Sequence, residues 1–128
     1  MRALIDSHIF LHMLGDPDRL TSRQRAFIDD ASNDLLLSLA SVWEITIKYG
    51  LGKLRLPTTP ENVFPSQLEA FGVELLPLSL EHVLQVHKLP PHHHDPFDRL
   101  LIAQAQLIGI PVLSSDTHFP SYGIQVII

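Results

Sequence analysis

Short, unbroken apolar runs set between helical segments constrain this chain more than any other feature. RALID (2–6), DLLLS (34–38), VELLPLS (73–79), PVLSSD (111–116) and IQVII (124–128) are too short for buried helices. They lack the strict polar–apolar alternation of a strand with one wet face. Runs of this kind read as strands covered on both sides.

The segments between them carry helical signals. SHIFLHML (7–14) starts a helix that Ser7 is able to cap, and RQRAFIDDA (23–31) follows Thr21 as a candidate N-cap. ASVWEITIKYGLG (40–52) sets Val42, Ile45 and Tyr49 near one face and stops at glycine. LEHVLQVHKL (80–89) has Val83, Val86 and Leu89 in phase. The longest helix is DPFDRLLIAQAQLIGI, with Asp95 at the N-cap, Pro96 at the first helical position and Gly109 just past the end. LPTTPENVFP (56–65) holds three of the ten prolines and reads as a connection with a turn at each end. The alternation predicts an α/β fold, with a mainly parallel central sheet of about five strands flanked by helices.

A chain of 128 residues is expected to form one domain, residues 1–128, and to bury about 65–70% of its unfolded surface. It has no cysteine, which excludes disulfides, thiolate zinc sites and a cysteine nucleophile. No apolar run approaches the roughly 20 residues that span a bilayer. Asp6 and His8 interrupt the N-terminal segment where a signal peptide is apolar. A cytoplasmic protein with no membrane association is the expectation.

In a parallel sheet, ligands bind beyond the carboxyl ends of the strands. Asp6 ends the first strand and Asp116 ends the fourth, while Glu44 and Asp98 lie in the first turns of helices. The four acids are thereby candidates for one cluster. Clustered carboxylates repel, and a divalent cation relieves the repulsion; hard oxygen ligands suit Mg²⁺ or Mn²⁺. Such a centre can activate water against a phosphodiester. Each acid also has a plainer reading. Asp98 at the third helical position gains from the helix dipole alone. Glu44 is placed to pair with Lys48 one turn on, and Asp6 and Asp116 are both placed to start turns. Adjacent His92, His93 and His94, and His8 with His12, do not make a zinc motif, and a flexible polar loop beside the active edge is the expected role of the triplet. The net charge of −5 weighs against a nucleic-acid partner without excluding one, because bound cations reverse the local field.

With LIDSHIFLHML, SVWEITIKYGLGKLRLP, HDPFDRLLIAQA and SSDTHFPSYGIQVI in this order and spacing, the chain resembles PIN-domain ribonucleases, and most closely the VapC-type toxins of toxin–antitoxin pairs. The resemblance covers nearly the whole chain. It implies a Rossmann-like sheet and a metal-dependent endoribonuclease whose acidic site falls on Asp6, Glu44, Asp98 and Asp116. It also implies Mg²⁺ or Mn²⁺ as cofactor, an RNA substrate, a small antitoxin that occludes the site, and a homodimer. Ser7 stands where many members carry threonine, so a hydroxyl is kept. Ser7, Lys48 and Arg99 are the nearest candidates for substrate contacts, with Lys53 and Arg55 next in sequence. Two other readings compete: a PIN-like binding module without activity, and a receiver-type signalling domain. The latter needs an acidic pair after the first strand, where only Asp6 is present.

Overall fold

The computed structural model describes residues 1–128. Five strands form one parallel sheet: β1 (Arg2–Ile5), β2 (Asp34–Ser38), β3 (Val73–Leu76), β4 (Val112–Leu113) and β5 (Val126–Ile127), in the order β3-β2-β1-β4-β5. The α/β architecture with five parallel strands is therefore as the sequence predicts. β2 fills its apolar run, while β1, β3, β4 and β5 are shorter than theirs; Asp6 after β1 and Ser114–Asp116 after β4 lie in the loops of the carboxyl edge.

Six α-helices cover the sheet: α1 (Ser7–Gly15), α2 (Ser22–Asp29), α3 (Leu39–Gly50), α4 (Pro60–Phe71), α5 (Leu80–Gln85) and α6 (Pro96–Ile108). Successive strand residues point to opposite faces, so β1 divides between two cores. Ala3 and Ile5 pack with Ile9 and Phe10 of α1, Ile45 of α3 and Phe64 of α4. Leu4 packs with Leu101, Ile102 and Ala105 of α6 and with Phe119. No helix is long and apolar enough to cross a membrane.

Strand order reverses between β1 and β4, since the chain moves outward through β2 and β3 and then returns to β1's other side. Ile5 is in register with Leu37 of β2 and Leu113 of β4. Asp6 and Ser114 thus leave the sheet at one level, beside Ser38, the last residue of β2. The α5–α6 connection carries the chain from the carboxyl end of β3 to the amino end of β4, so α6 begins at the carboxyl edge. That puts its first turn beside the switch point, although it follows another helix.

Three local readings are corrected. The cap of α1 is Asp6, not Ser7: the Asp6 carboxylate accepts the Ile9 N–H at 2.8 Å, while Ser7 is already helical. The 80–89 segment is helical only to Gln85 and tightens into a 3₁₀ turn over Val86–Lys88. The proline-rich stretch at 56–65 is not merely a connection, because α4 begins inside it. Pro60 takes the first helical position, where it loses no intrahelical bond, and Pro65 sits within the helix. Buried Val63 and Phe64 hold that turn against the sheet. Tertiary packing therefore overrides the proline at position 65. Thr21, Asp95 and Gly109 act as the sequence predicts. Thr21 forms a capping box with Gln24. Asp95 accepts the N–H groups of Phe97 and Asp98, and Gly109 ends α6 at φ 75°.

Pro65→Ala is expected to restore a backbone donor to the Glu61 carbonyl and to stabilise the fold. The gain should be about 1–3 kcal/mol, given the roughly 3 kcal/mol penalty of an interior proline and partial offset through the unfolded chain. Urea unfolding of the two proteins measures it. A destabilised variant would show that the ring's packing outweighs the missing bond.

Candidate metal centre

The carboxyl edge at the switch point gathers the acids named from sequence, held by different elements. Asp6 follows β1 and is buried; burial pushes its carboxyl up, against hydrogen bonds from Ser114 and from the Ile9 N–H that favour the charged form. Its backbone N–H donates to the Leu113 carbonyl, which fixes it against the end of β4. Glu44 lies on α3, buried, with one oxygen accepting the Ser7 hydroxyl at 2.8 Å and the other facing the Lys48 ammonium at 2.7 Å. The pairing with Lys48 is thus present, and hydrogen bonding to Glu44 raises the lysine's pKa. This pair and the Ser7 bond set Glu44's rotamer while leaving it on the shared edge.

Asp98 is raised as well. Its carboxyl is pushed up to about 7, first by burial, then by the negative charges of Asp95, Glu44 and Asp6, with His93 opposing. Three separate acids acting on one carboxyl is what convergence of the cluster means electrostatically. Asp116 behaves in the opposite way. Burial raises its pKa, but the backbone N–H of His118 and the His93 and His118 rings outweigh it and leave the carboxyl below its ordinary value.

Asp95 and Asp98 divide the two tasks that open the helix. Asp95 is turned onto the N–H groups of its own first turn. Asp98 points away from the helix end, and its Oδ2 lies 3.1 Å from Nε2 of His93.

His93 is the residue that sequence reasoning missed. The 90–95 segment is tied by hydrogen bonds to Tyr122 and Arg99, and it turns one of its three histidines into the site. Nε2 of His93 stands 2.8 Å from Oδ2 of Asp116 as well as beside Asp98. Its backbone N–H donates to the Tyr122 hydroxyl at 2.7 Å, and that hydroxyl donates to the Pro90 carbonyl. Arg99, expected near substrate, has a different task here. Its guanidinium donates to the carbonyls of Val86, Leu89, Pro90 and His93 and to the Tyr122 hydroxyl. Both terminal nitrogens are spent on holding this loop. The signal in the sequence was weak: three adjacent histidines give no clue to which one turns inward.

The oxygen donor set of Asp6, Glu44, Asp98 and Asp116 fits a hard divalent cation. Two of these carboxylates are raised in pKa and would be discharged by one. His93, Asp116 and His118 also present potential ligand atoms within 4.8 Å of one another.

A PIN-domain family model matches residues 3–125, and the chain belongs to that family. It is 41% identical over 64 residues to Ribonuclease VapC16 of Mycobacterium tuberculosis, a stretch that takes in 50% of this chain and 44% of that one. Among solved structures, VapBC2 from Rickettsia felis bound to a DNA fragment from their promoter superposes with a TM-score of 0.72 at 13% identity, over 98% of this chain and 97% of the other. A toxin–antitoxin complex from Klebsiella pneumoniae gives 0.59 at 13% identity, over 90% and 87%. At these identities the structural likeness concerns the fold.

The raised carboxyls set a pH dependence. Folded Asp6 and Asp98 keep protons that the unfolded chain releases above the ordinary aspartate value of 3.8. Stability of the metal-free protein should fall as pH rises from there through about 7, the folded value for Asp98. Asp116, shifted down, contributes only in stronger acid. Melting in EDTA is therefore expected at a higher temperature at pH 5 than at pH 8. Asp98→Asn should melt higher than the wild type at pH 8 and lose much of the difference. A variant less stable than the wild type at pH 8 would contradict the crowding of charge.

Proposed function

We propose that this chain is a metal-dependent endoribonuclease, acting in the cytoplasm as the toxin of a toxin–antitoxin pair. The observation that carries this reading is the meeting of four carboxylates at the switch point of a PIN-type sheet, where burial and then neighbouring charge bring Asp98 to about 7. The partial likeness to Ribonuclease VapC16 supports RNA as the substrate. Asp6, Glu44, Asp98 and Asp116 would hold Mg²⁺ or Mn²⁺, which when bound supplies an activated water and neutralises charge on the phosphate.

The chain's own groups have these parts. Asp6 and Asp98 supply the most crowded oxygens, and Ser7 and Lys48 fix the direction of Glu44. Lys48 spends one N–H on Glu44, which leaves two donors of the ammonium for a phosphate oxygen. Lys53 and Arg55, both exposed beyond α3, extend the same basic track. Arg99 acts at one remove by fixing the loop that carries His93.

The inhibiting partner is read as a small antitoxin. Leu39, Trp43 and Ile47 of α3 and Leu51, its C-cap, recur every four residues and are all exposed. Trp43 packs edge-on against Phe97, in the first turn of α6. This apolar stripe runs beside the acidic edge. It suits a partner helix with an apolar face and one cationic side chain that reaches the carboxylates. A homodimer is the accompanying expectation, and the exposed Leu80, Leu84 and Leu107 of α5 and α6 offer a separate surface for it.

The test uses three aspartate-to-asparagine variants on an RNA substrate with Mg²⁺ or Mn²⁺. Asp6→Asn and Asp98→Asn should each lower cleavage about a hundredfold or more and abolish growth arrest on expression, because each removes a ligand charge at constant volume. Asp95→Asn should cleave nearly as the wild type, since asparagine caps a helix about as well as aspartate. EDTA should stop cleavage. Full activity in chelator, or in Asp98→Asn, would overturn the metal reading of this edge.

A further inference from the structure

His93 joins two carboxylates that come from different elements. Asp98 belongs to the first turn of α6, and Asp116 to the loop after β4. Nε2 of His93 hydrogen-bonds Oδ2 of Asp116 at 2.8 Å and stands in contact with Oδ2 of Asp98 at 3.1 Å. The other ring nitrogen fixes what Nε2 carries. Nδ1 accepts the backbone N–H of Asp95 at 3.1 Å, so the neutral ring holds its proton on Nε2. The backbone on either side of the ring is tied in turn. The His93 N–H donates to Tyr122, and the His93 carbonyl accepts from Arg99. The ring is thus held at its amide, its carbonyl and Nδ1, and it presents its N–H to Asp116 with Asp98 in contact beside it.

A cation bound directly to His93 is the competing use of the same atoms, because His93, Asp116 and His118 are close enough to share one. The tautomer argues against it. With Nδ1 occupied by the Asp95 N–H, no lone pair remains on Nε2 for a metal. Asp116 already has a second tether, the His118 N–H and ring on its other oxygen. The arrangement is that of donors orienting carboxylates that act on something else.

We propose that His93 is a positioning residue of the metal centre: its Nε2–H sets the spacing of Asp98 and Asp116, and Asp95, Tyr122 and Arg99 set the ring. This rests on the metal reading given above. It also assigns Asp95 a second role, since its side chain caps α6 while its N–H selects the histidine's tautomer.

Two measurements on the full chain test it. In EDTA at pH 8, long-range ¹H–¹⁵N spectra of the imidazole rings should give His93 as the Nε2–H tautomer; an Nδ1–H ring overturns the proposal. Mn²⁺ alone is then titrated by calorimetry, with electron paramagnetic resonance of the bound ion as a second readout. His93→Ala and His93→Asn should bind Mn²⁺ about 10–100-fold more weakly, the usual cost of losing a group that orients a ligand. His93→Gln should recover most of the affinity and the wild-type spectrum, because the glutamine amide nitrogen reaches the place of Nε2 and the asparagine amide does not. Wild-type affinity in His93→Ala, or equal loss in the Gln and Asn variants, overturns the role of His93 alone. A wild-type chain that binds no Mn²⁺ overturns the metal reading and this inference with it.

Discussion

Mutual repulsion among carboxylates is the constraint around which the carboxyl edge is organised. Asp6 and Glu44 are buried, and Asp98 is largely so. None of the three would sit in such surroundings as an unpaired anion without cost. The chain meets that cost locally and only in part. Glu44 receives a hydroxyl and an ammonium, Asp6 receives the N-terminal N–H of α1, and Asp98 shares one imidazole with Asp116. The compensation is uneven: Asp6 and Asp98 are both left above the ordinary carboxylate range, and no backbone N–H donates to the Asp98 carboxylate. A fold selected for stability alone would replace such a carboxylate with an amide or an apolar group, because a poorly compensated buried charge is a net loss.

The parallel sheet concentrates these charges. Strand order reverses beside β1, so the loops after β1 and β4 diverge to opposite faces and leave a crevice between them. Register makes the crevice exact in depth: Ile5 is level with both Leu37 and Leu113, so Asp6 and Ser114 leave the sheet together beside Ser38. Gln104 and Gln24 extend this alignment to the helices. Gln104, buried in α6, takes the Ser38 hydroxyl at the end of β2 and donates to the Pro77 carbonyl beyond β3. Gln24, buried in α2, completes its own helix cap and donates to Ser115 beside Asp116. Two buried amides therefore tie helices to the loops that carry the site, and each is fully partnered where it is buried.

The strands and the caps of α2 and α6 were legible because their signals are local. An apolar run of five residues, an aspartate before Pro96 or a glycine after Ile108 each carries its meaning within a few positions. Asp6, Glu44, Asp98 and Asp116 were legible as a candidate cluster because a parallel sheet sends all its strand ends to one edge. What failed depended on contacts across long separations. Helix α4 was hidden by Pro65, since only burial of Val63 and Phe64 against the sheet shows that the segment stays helical. Arg99 looked like a substrate cation because its neighbour in sequence is Asp98, yet its partners are carbonyls 6–13 positions upstream. His93 was one of three equal histidines until the loop around it was closed by Tyr122, 29 residues away.

These long-range ties share a direction. Tyr122 and Arg99 hold the 86–93 segment, that segment holds His93, and His93 holds Asp98 against Asp116. The two acids belong to opposite ends of the α6–β4 passage, which the core fixes through Leu101, Ile102 and Val112 but whose tips project beyond it. Packing alone sets a helix end to within the play of its last turn. A hydrogen bond of 2.8 Å sets an oxygen far more tightly, because its strength falls steeply with distance and angle. The sheet thus brings the carboxylates into one region, and the tied loop fixes their separation. A catalytic constellation needs the second kind of precision, and it comes here from a loop that packing alone would leave free.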